Sequence, residues 1–284
     1  MPETAGRLLH VLAVPDRPAL RLLAVPFGGG PAESLPLDGG FAFRAGPVRT
    51  CVGTWTEAWT HVPCPTAEPV WRHRQCRPCS GLDDPECVFE PRCRSEPSSC
   101  TCVTSFKGVP HLVYLAFHGT LPKVGLTQER RVGNRLREQG ADAWFAVQAC
   151  PDRGTARQLE MAVSYLYGYP EHRSHRETLP QLARPVPWAA IESRAAEARL
   201  RLEGSYDVER VLHRIEDHAI AQPVGGVPRR VPTEGLHAGT WVGAKGTHLV
   251  YREAPREGRL HVGSPPLAAL KRSDLVGRKV EWLG

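Results

Sequence analysis

Nine cysteines occur in this chain of 284 residues, and eight of them fall between Cys51 and Cys102. The stretch 61–105, which carries most of them, is dense in Pro, Arg and Ser and has almost no run able to build a hydrophobic core. Something other than apolar burial must hold it. The first residues, MPETAGRLLHVLAVP, lack the basic flank and continuous apolar run of a signal peptide, so clustered thiols point to metal more than to disulfides. Prolines and charges interrupt every apolar stretch before the ~18 residues that would span a bilayer, which predicts a cytoplasmic protein with no membrane partner.

Cys76 and Cys79 form the knuckle QCRPCS, and Cys87 and Cys93 follow in ECVFEPRC. Four thiolates so spaced suit tetrahedral zinc at Zn–S distances of ~2.3 Å. Such a shell leaves no open water position, so the zinc expected at Cys76, Cys79, Cys87 and Cys93 is structural. Cys51, Cys64, Cys100 and Cys102 remain for a second four-cysteine site, with His61 and His73 as alternative donors. Unpaired buried thiols are the competing reading of that second set.

The length corresponds to about two domains of ~150 residues, and an apolar content of 41% supplies a real core. A net charge of +6 is compatible with a polyanionic partner but falls short of a dedicated nucleic-acid coat. The abundance of Ala, Pro, Gly and Arg also fits a biased genome. Residues 1–60 read as short strands (LLHVLAV, ALRLLAV, FAFRAG, VRTCVGTW) between Pro and Gly-Gly turns, a small antiparallel sheet. After the Cys-rich segment 61–105 comes a region 106–184 of strands and helices. The remainder, 185–284, holds two helices, WAAIESRAAEARLRLE and 205–220, then the strands TWVGAKGTHLVYRE, RLHVGS and KVEWLG. Whether the two terminal sheet regions pack together or flank the centre stays open.

In 106–184 polar residues punctuate apolar elements. Tyr114 in HLVYLAF and Lys123 in PKVGLT fall on the strands of a hairpin turning at His118, Gly119 and Thr120. Arg135 falls on a helix from Gln128 to Gln139 that stops at Gly140, where glycine takes a left-handed cap. After the strand AWFAVQA, Glu160 lies on a second helix, at the edge of a stripe of Leu159, Ala162, Val163 and Leu166. Cleaving a phosphodiester requires a base near the water, a cation at the phosphoryl oxygens and a metal that polarises the phosphate. A phenol, an ammonium, a guanidinium and a carboxylate meet those needs. With an ordinary pKa of ~10 the tyrosine needs positive charge nearby to act as a base, and Mg²⁺ accepts as few as one protein carboxylate.

This order of residues resembles the GIY-YIG nuclease superfamily over residues 111–175, and the flanking segments resemble an uncharacterised prokaryotic family carrying that domain. The resemblance implies an α+β fold: a small three-stranded antiparallel sheet with flanking helices, preceded by a β region and a zinc-bound Cys-rich segment, and followed by helices and a C-terminal β segment. It places Tyr114 at the first signature tyrosine, here in Leu-Val-Tyr, where the phenol helps deprotonate the attacking water. Lys123 stands at the second signature tyrosine, before Val124 and Gly125; some restriction enzymes of the superfamily also have lysine there. Arg135 matches the arginine of the first helix and Glu160 the carboxylate that holds a single Mg²⁺ or Mn²⁺. Many members carry an asparagine after the second helix, whereas the only asparagine here is Asn134, and EHRSHRETL offers Ser174 and His175 instead. The implied activity is a metal-dependent endonuclease acting on DNA or RNA.

Each residue also has a plainer reading. Tyr114 can be a core aromatic with an anchored hydroxyl, Arg135 a surface residue paired to Glu138 or Glu129, Glu160 a partner of Arg157, and Lys123 exposed. His118, in the turn, is read as exposed and stays outside the set. Two other function classes compete: a non-catalytic nucleic-acid-binding module using the same cationic cleft, which the missing asparagine favours, and an enzyme that reuses the scaffold on a small molecule.

Overall fold

The structure is a computed structural model that describes residues 7–13, 21–26, 30–36, 39–56, 60–71, 74–80, 108–183, 186–216, 224–255 and 265–283. The chain begins with strands β1 (Arg7–Ala13), β2 (Arg21–Pro26), β3 (Glu33–Pro36), β4 (Gly40–Arg49), β5 (Thr54–Trp55) and β6 (His61–Val62), then one helical turn, α1 (Arg77–Ser80). Its middle holds β7 (His111–His118), β8 (Leu121–Gln128), α2 (Val132–Gln139), β9 (Ala143–Cys150), α3 (Arg153–Tyr167), α4 (His175–Ala183), α5 (Trp188–Leu202) and β10 (His213–Arg214). The last segment adds β11 (Arg229–Arg230), β12 (Gly235–Lys245), β13 (His248–Glu253), β14 (Leu267–Lys271), α6 (Arg272–Leu275) and β15 (Arg278–Trp282). Two compact units result, residues 1–85 with 226–284, and residues 86–225.

The first unit is built on a nine-stranded sheet in the order β11-β14-β13-β12-β4-β15-β1-β2-β3, mixed because β11 runs parallel to β14. Strand β15 inserts between β4 and β1, with Val280 opposite Ala45 on one side and Leu9 on the other. Period-two alternation in β4 buries Phe41, Phe43 and Ala45 on one face, where Phe41 stacks on Trp241 at 4.0 Å between ring centroids.

This corrects the architecture expected from the sequence. The chain is not organised around a small three-stranded sheet with flanking helices, and the strands of residues 1–60 do not close a small sheet of their own. Short sheets at either end would each expose unpaired ladder groups and half a core, and pairing across the chain removes both costs. β3, β11 and β14 carried no strand reading, and RLHVGS lies outside the described residues.

The second unit holds a four-stranded sheet, β10-β9-β7-β8. Strand β7 is interior and buried at every position, which accounts for its unbroken apolar run. Val113, Leu115 and Phe117 face α3 and α5, the latter contributing Ile191, Ala195, Ala198 and Leu202 at helical spacing. Tyr114 and Ala116 face the other way, against Leu136 of α2 and Ala141. Each large apolar side chain buried in this way contributes about 1.5–3 kcal/mol.

Helix α2 ends at Gly140 in the left-handed conformation, φ 77°, as its sequence predicts, although residues 129–131 form a 3₁₀ turn. Asp152 caps α3 by accepting from the Thr155 N–H at 2.8 Å. The helix expected over 205–220 does not form in its described part. There the Glu209 N–H donates to the Ala146 carbonyl at 2.9 Å and its carboxylate accepts from the Ala146 N–H at 3.0 Å, so this backbone serves the β9 edge instead.

Candidate functional site

Tyr114 and Gly125 are cross-strand partners in the β7–β8 hairpin, as are Ala116 and Lys123. Directly opposed residues project to the same side of a sheet, so Tyr114 and Lys123 share the face that α2 covers. A Cβ at position 125 would lie 2.6 Å from the Tyr114 hydroxyl oxygen and 2.7 Å from Cζ. The phenol ring therefore lies across Gly125, which is the physical reason for a glycine two residues after Lys123. A register shift at Val113/Tyr114 in the β7–β9 pairing marks a β-bulge beside the tyrosine, a device that re-aims side chains near sites. Tyr114 has no exposed surface, and its hydroxyl donates to Gln139 Oε1 at 3.3 Å.

The chain leaving α3 runs along the outer edge of β8. The Val124 N–H donates to the Pro170 carbonyl at 3.1 Å, and Arg173 donates to the Pro122 carbonyl through Nε at 3.0 Å and Nη2 at 2.6 Å. This segment carries Glu171 and His172 to Lys123. On α3, Arg157 Nη1 bridges Glu160 at 2.5 Å and Glu171 at 2.8 Å.

Electrostatics join these groups. Burial pushes the Tyr114 phenol up to about 12; Arg135 and the Gln139 hydrogen bond oppose that shift and Glu160 adds to it. Burial and then Arg135 push the Lys123 ammonium down to about 8, against the pull of Glu160 and Glu171. The Glu160 carboxyl is raised because burial outweighs the Arg157 ion pair, while in Arg157 the two carboxylates outweigh burial and raise it. His172 is lowered by burial of part of its ring and by Lys123.

Tyr114 and Lys123 thus each feel both Arg135 and Glu160, so the four residues named from sequence belong to one electrostatic cluster. The plainer pairings exist too. Arg135 lies 3.7 Å from Glu138, and Glu160 is held by Arg157. By contrast, neither Lys123 nor His172 has a hydrogen-bond or ion-pair partner among the described residues.

Gln139, Glu171 and His172 were not singled out in the sequence. The fold of 168–174 back along β8 brings the last two in, a non-local event that helical and strand periods do not report. Ser174 does not replace the missing asparagine. It forms a capping box at α4, its N–H donating to Glu177 Oε2 at 2.8 Å, a pattern legible in S-H-R-E. Asn134 accepts from Arg137 at 2.9 Å. His118 is buried, with Nδ1 3.2 Å from the Gly140 carbonyl, where the turn reading expected exposure.

In the first unit the sulfurs of Cys51, Cys64, Cys76 and Cys79 lie within 4.8 Å of one another, a set compatible with a structural metal such as zinc. Cys76 and Cys79 belong to the expected quartet, but Cys51 and Cys64 complete the group; Cys87, Cys93, Cys100, Cys102 and His73 lie outside the described residues. The Cys64 to Cys76 separation of 3.8 Å is far too long for a disulfide. It equals the edge of about 3.8 Å expected for sulfurs placed tetrahedrally at ~2.3 Å from zinc.

The β5–β6 hairpin returns the chain from Cys51 to Cys64, and the Gly53 and Cys76 N–H groups donate to Cys51 Sγ at 3.3 and 3.1 Å. Gln75 ties both halves together, donating to the Gly53 carbonyl at 2.7 Å and the Cys79 carbonyl at 3.1 Å. His61 contacts the Val52 carbonyl at 2.7 Å and so braces the hairpin between Cys51 and Cys64. Burial opposes ionisation of Cys64, but Thr66 and the neighbouring thiols outweigh it and bring that thiol down to about 6, while burial pushes Cys51 and Cys79 up.

A family model described as "Protein of unknown function (DUF2797)" matches residues 41–262. No curated protein and no solved structure matches the chain.

Proposed function

We propose that this chain, which belongs to the DUF2797 family, is a metal-dependent phosphodiesterase acting on DNA or RNA, with Tyr114, Lys123, Arg135 and Glu160 at its site. The observation that carries this reading is that Tyr114 and Lys123 share one face of the β7–β8 hairpin, with Arg135 of α2 and Glu160 of α3 acting on the charge of both. The resemblance of residues 111–175 to the GIY-YIG superfamily adds to it.

Arg135, exposed on α2, meets the phosphoryl oxygens, and the unpartnered ammonium of Lys123 offsets the charge that builds there. Tyr114, held up to about 12, keeps its proton at neutral pH and positions its neighbours. Glu160 supplies a buried carboxylate, the hard oxygen donor that Mg²⁺ and Mn²⁺ take, and Mg²⁺ needs as few as one from the protein. Glu160 would hold Mg²⁺ or Mn²⁺, which when bound polarises the phosphate and stabilises the leaving oxygen. In the first unit, Cys51, Cys64, Cys76 and Cys79 hold a structural zinc.

A second reading, a binding module that grips phosphate without cutting, is favoured by the close hold of Arg157 on Glu160. Labelled single-stranded and duplex DNA and RNA, incubated with Mg²⁺, Mn²⁺ or chelator, separate the two. The expected result is metal-dependent cutting, reduced about 10²–10³-fold by Arg135→Ala and abolished by Glu160→Ala. Salt-sensitive binding with no cutting favours the module, and neither binding nor cutting contradicts both.

A further inference from the structure

Assigning Tyr114 a protonated role leaves the proton of the attacking water without an acceptor, and the cluster contains one group suited to it. His172 is exposed at the rim, on the segment that Arg173 and Val124 tie to the edge of β8. Its neighbour Glu171 is paired at 2.8 Å to Arg157, which holds Glu160 at 2.5 Å, so the segment carrying the ring is bound directly to the cluster. Lys123 of β8, Arg135 of α2, Arg157 of α3 and Glu171 set the field at the imidazole. Tyr114 donates to Gln139, and Glu160 and Glu171 are both paired to Arg157. The imidazole of His172 has no hydrogen-bond partner among the described residues, and the residue is exposed to solvent.

Resting on the phosphodiesterase reading, we propose that His172 is a catalytic residue, the base that takes the proton of the attacking water. The water oxygen bonds to phosphorus as its proton passes to the imidazole. The bond from phosphorus to the leaving oxygen breaks, its electron pair departs with that oxygen, and the oxygen takes a proton from solvent. The imidazolium then returns its proton to solvent, so no oxidant or further reactant enters. Burial of part of the ring and Lys123, with Arg157 and Arg135, outweigh Glu171 and lower its pKa from the ordinary 6.5, so the ring is neutral and able to accept a proton at neutral pH.

The test is the pH dependence of cleavage by full-length wild type, His172→Asn and Tyr114→Phe, using a labelled oligonucleotide with Mg²⁺, alongside its binding in chelator. In wild type the rate should fall as pH drops through the His172 pKa, giving an acid limb below pH 6.5. His172→Asn should lower kcat about 10²-fold or more and erase that limb with binding unchanged. Tyr114→Phe should cut more slowly than wild type and keep the limb. Wild-type rate and limb in His172→Asn, or a binding loss equal to the rate loss, would overturn the assignment and leave the phosphodiesterase reading standing. A limb lost only in Tyr114→Phe returns the base to the phenol and does the same. Wild type that cuts nothing overturns both.

Discussion

At the scale of single residues, Gly125 and Lys123 report most directly on the cluster. The Tyr114 ring occupies the space a side chain at 125 would need, and that ring is fully buried, so it cannot swing into solvent to make room. Gly125→Ala should therefore cost about 1–3 kcal/mol, seen as a lowered thermal midpoint, and should displace the phenol from Gln139. Lys123 carries the pH signature at the alkaline end. Its ammonium is present below about pH 8 and is lost as pH rises through that value, so cleavage should decline above it. Lys123→Arg stays charged and should carry the decline to higher pH, whatever it does to the maximal rate. An alkaline limb unchanged in Lys123→Arg would separate this residue from the chemistry. The β7–β8 hairpin was legible because two short apolar runs flank a turn at His118, Gly119 and Thr120. Glu171 and His172 were not, since they sit in a loop whose course depends on Pro122 and Val124, about fifty residues earlier.

At the scale of elements, the thiol site shows how far a motif reaches. The C-x2-C spacing of Cys76 and Cys79 is local, and it correctly marks half of the group. Cys51 and Cys64 arrive through the β5–β6 hairpin from a segment with no recognisable spacing, so only tertiary structure brings them to Cys76 and Cys79. Purified protein is expected to contain at least one zinc per chain by elemental analysis. Cys51→Ser and Cys64→Ser should each release it as completely as Cys76→Ser, with loss of structure in the first unit. A folded, metal-free protein would contradict the site. The helix misread at 205–220 has the same origin: Glu209 gives both its backbone and its carboxylate to Ala146, a partner that no local pattern reveals.

At the scale of the whole molecule, the sequence indicated strands at both ends but not their union. β15 has two neighbours, β4 and β1, more than two hundred residues away in the chain, and no alternation within KVEWLG identifies them. The middle unit was more legible because its contacts are largely between adjacent elements: the β7–β8 hairpin, the capped ends of α2 and α3, and the return of β9 against β7. Function follows from that unit if its cluster accepts a divalent ion. The anomalous scattering of crystals soaked in Mn²⁺ tests this. The account predicts a manganese peak at the Glu160 carboxylate that vanishes in Glu160→Ala crystals; a cluster with no peak, its carboxylate still paired only with Arg157 at saturating Mn²⁺, would contradict it.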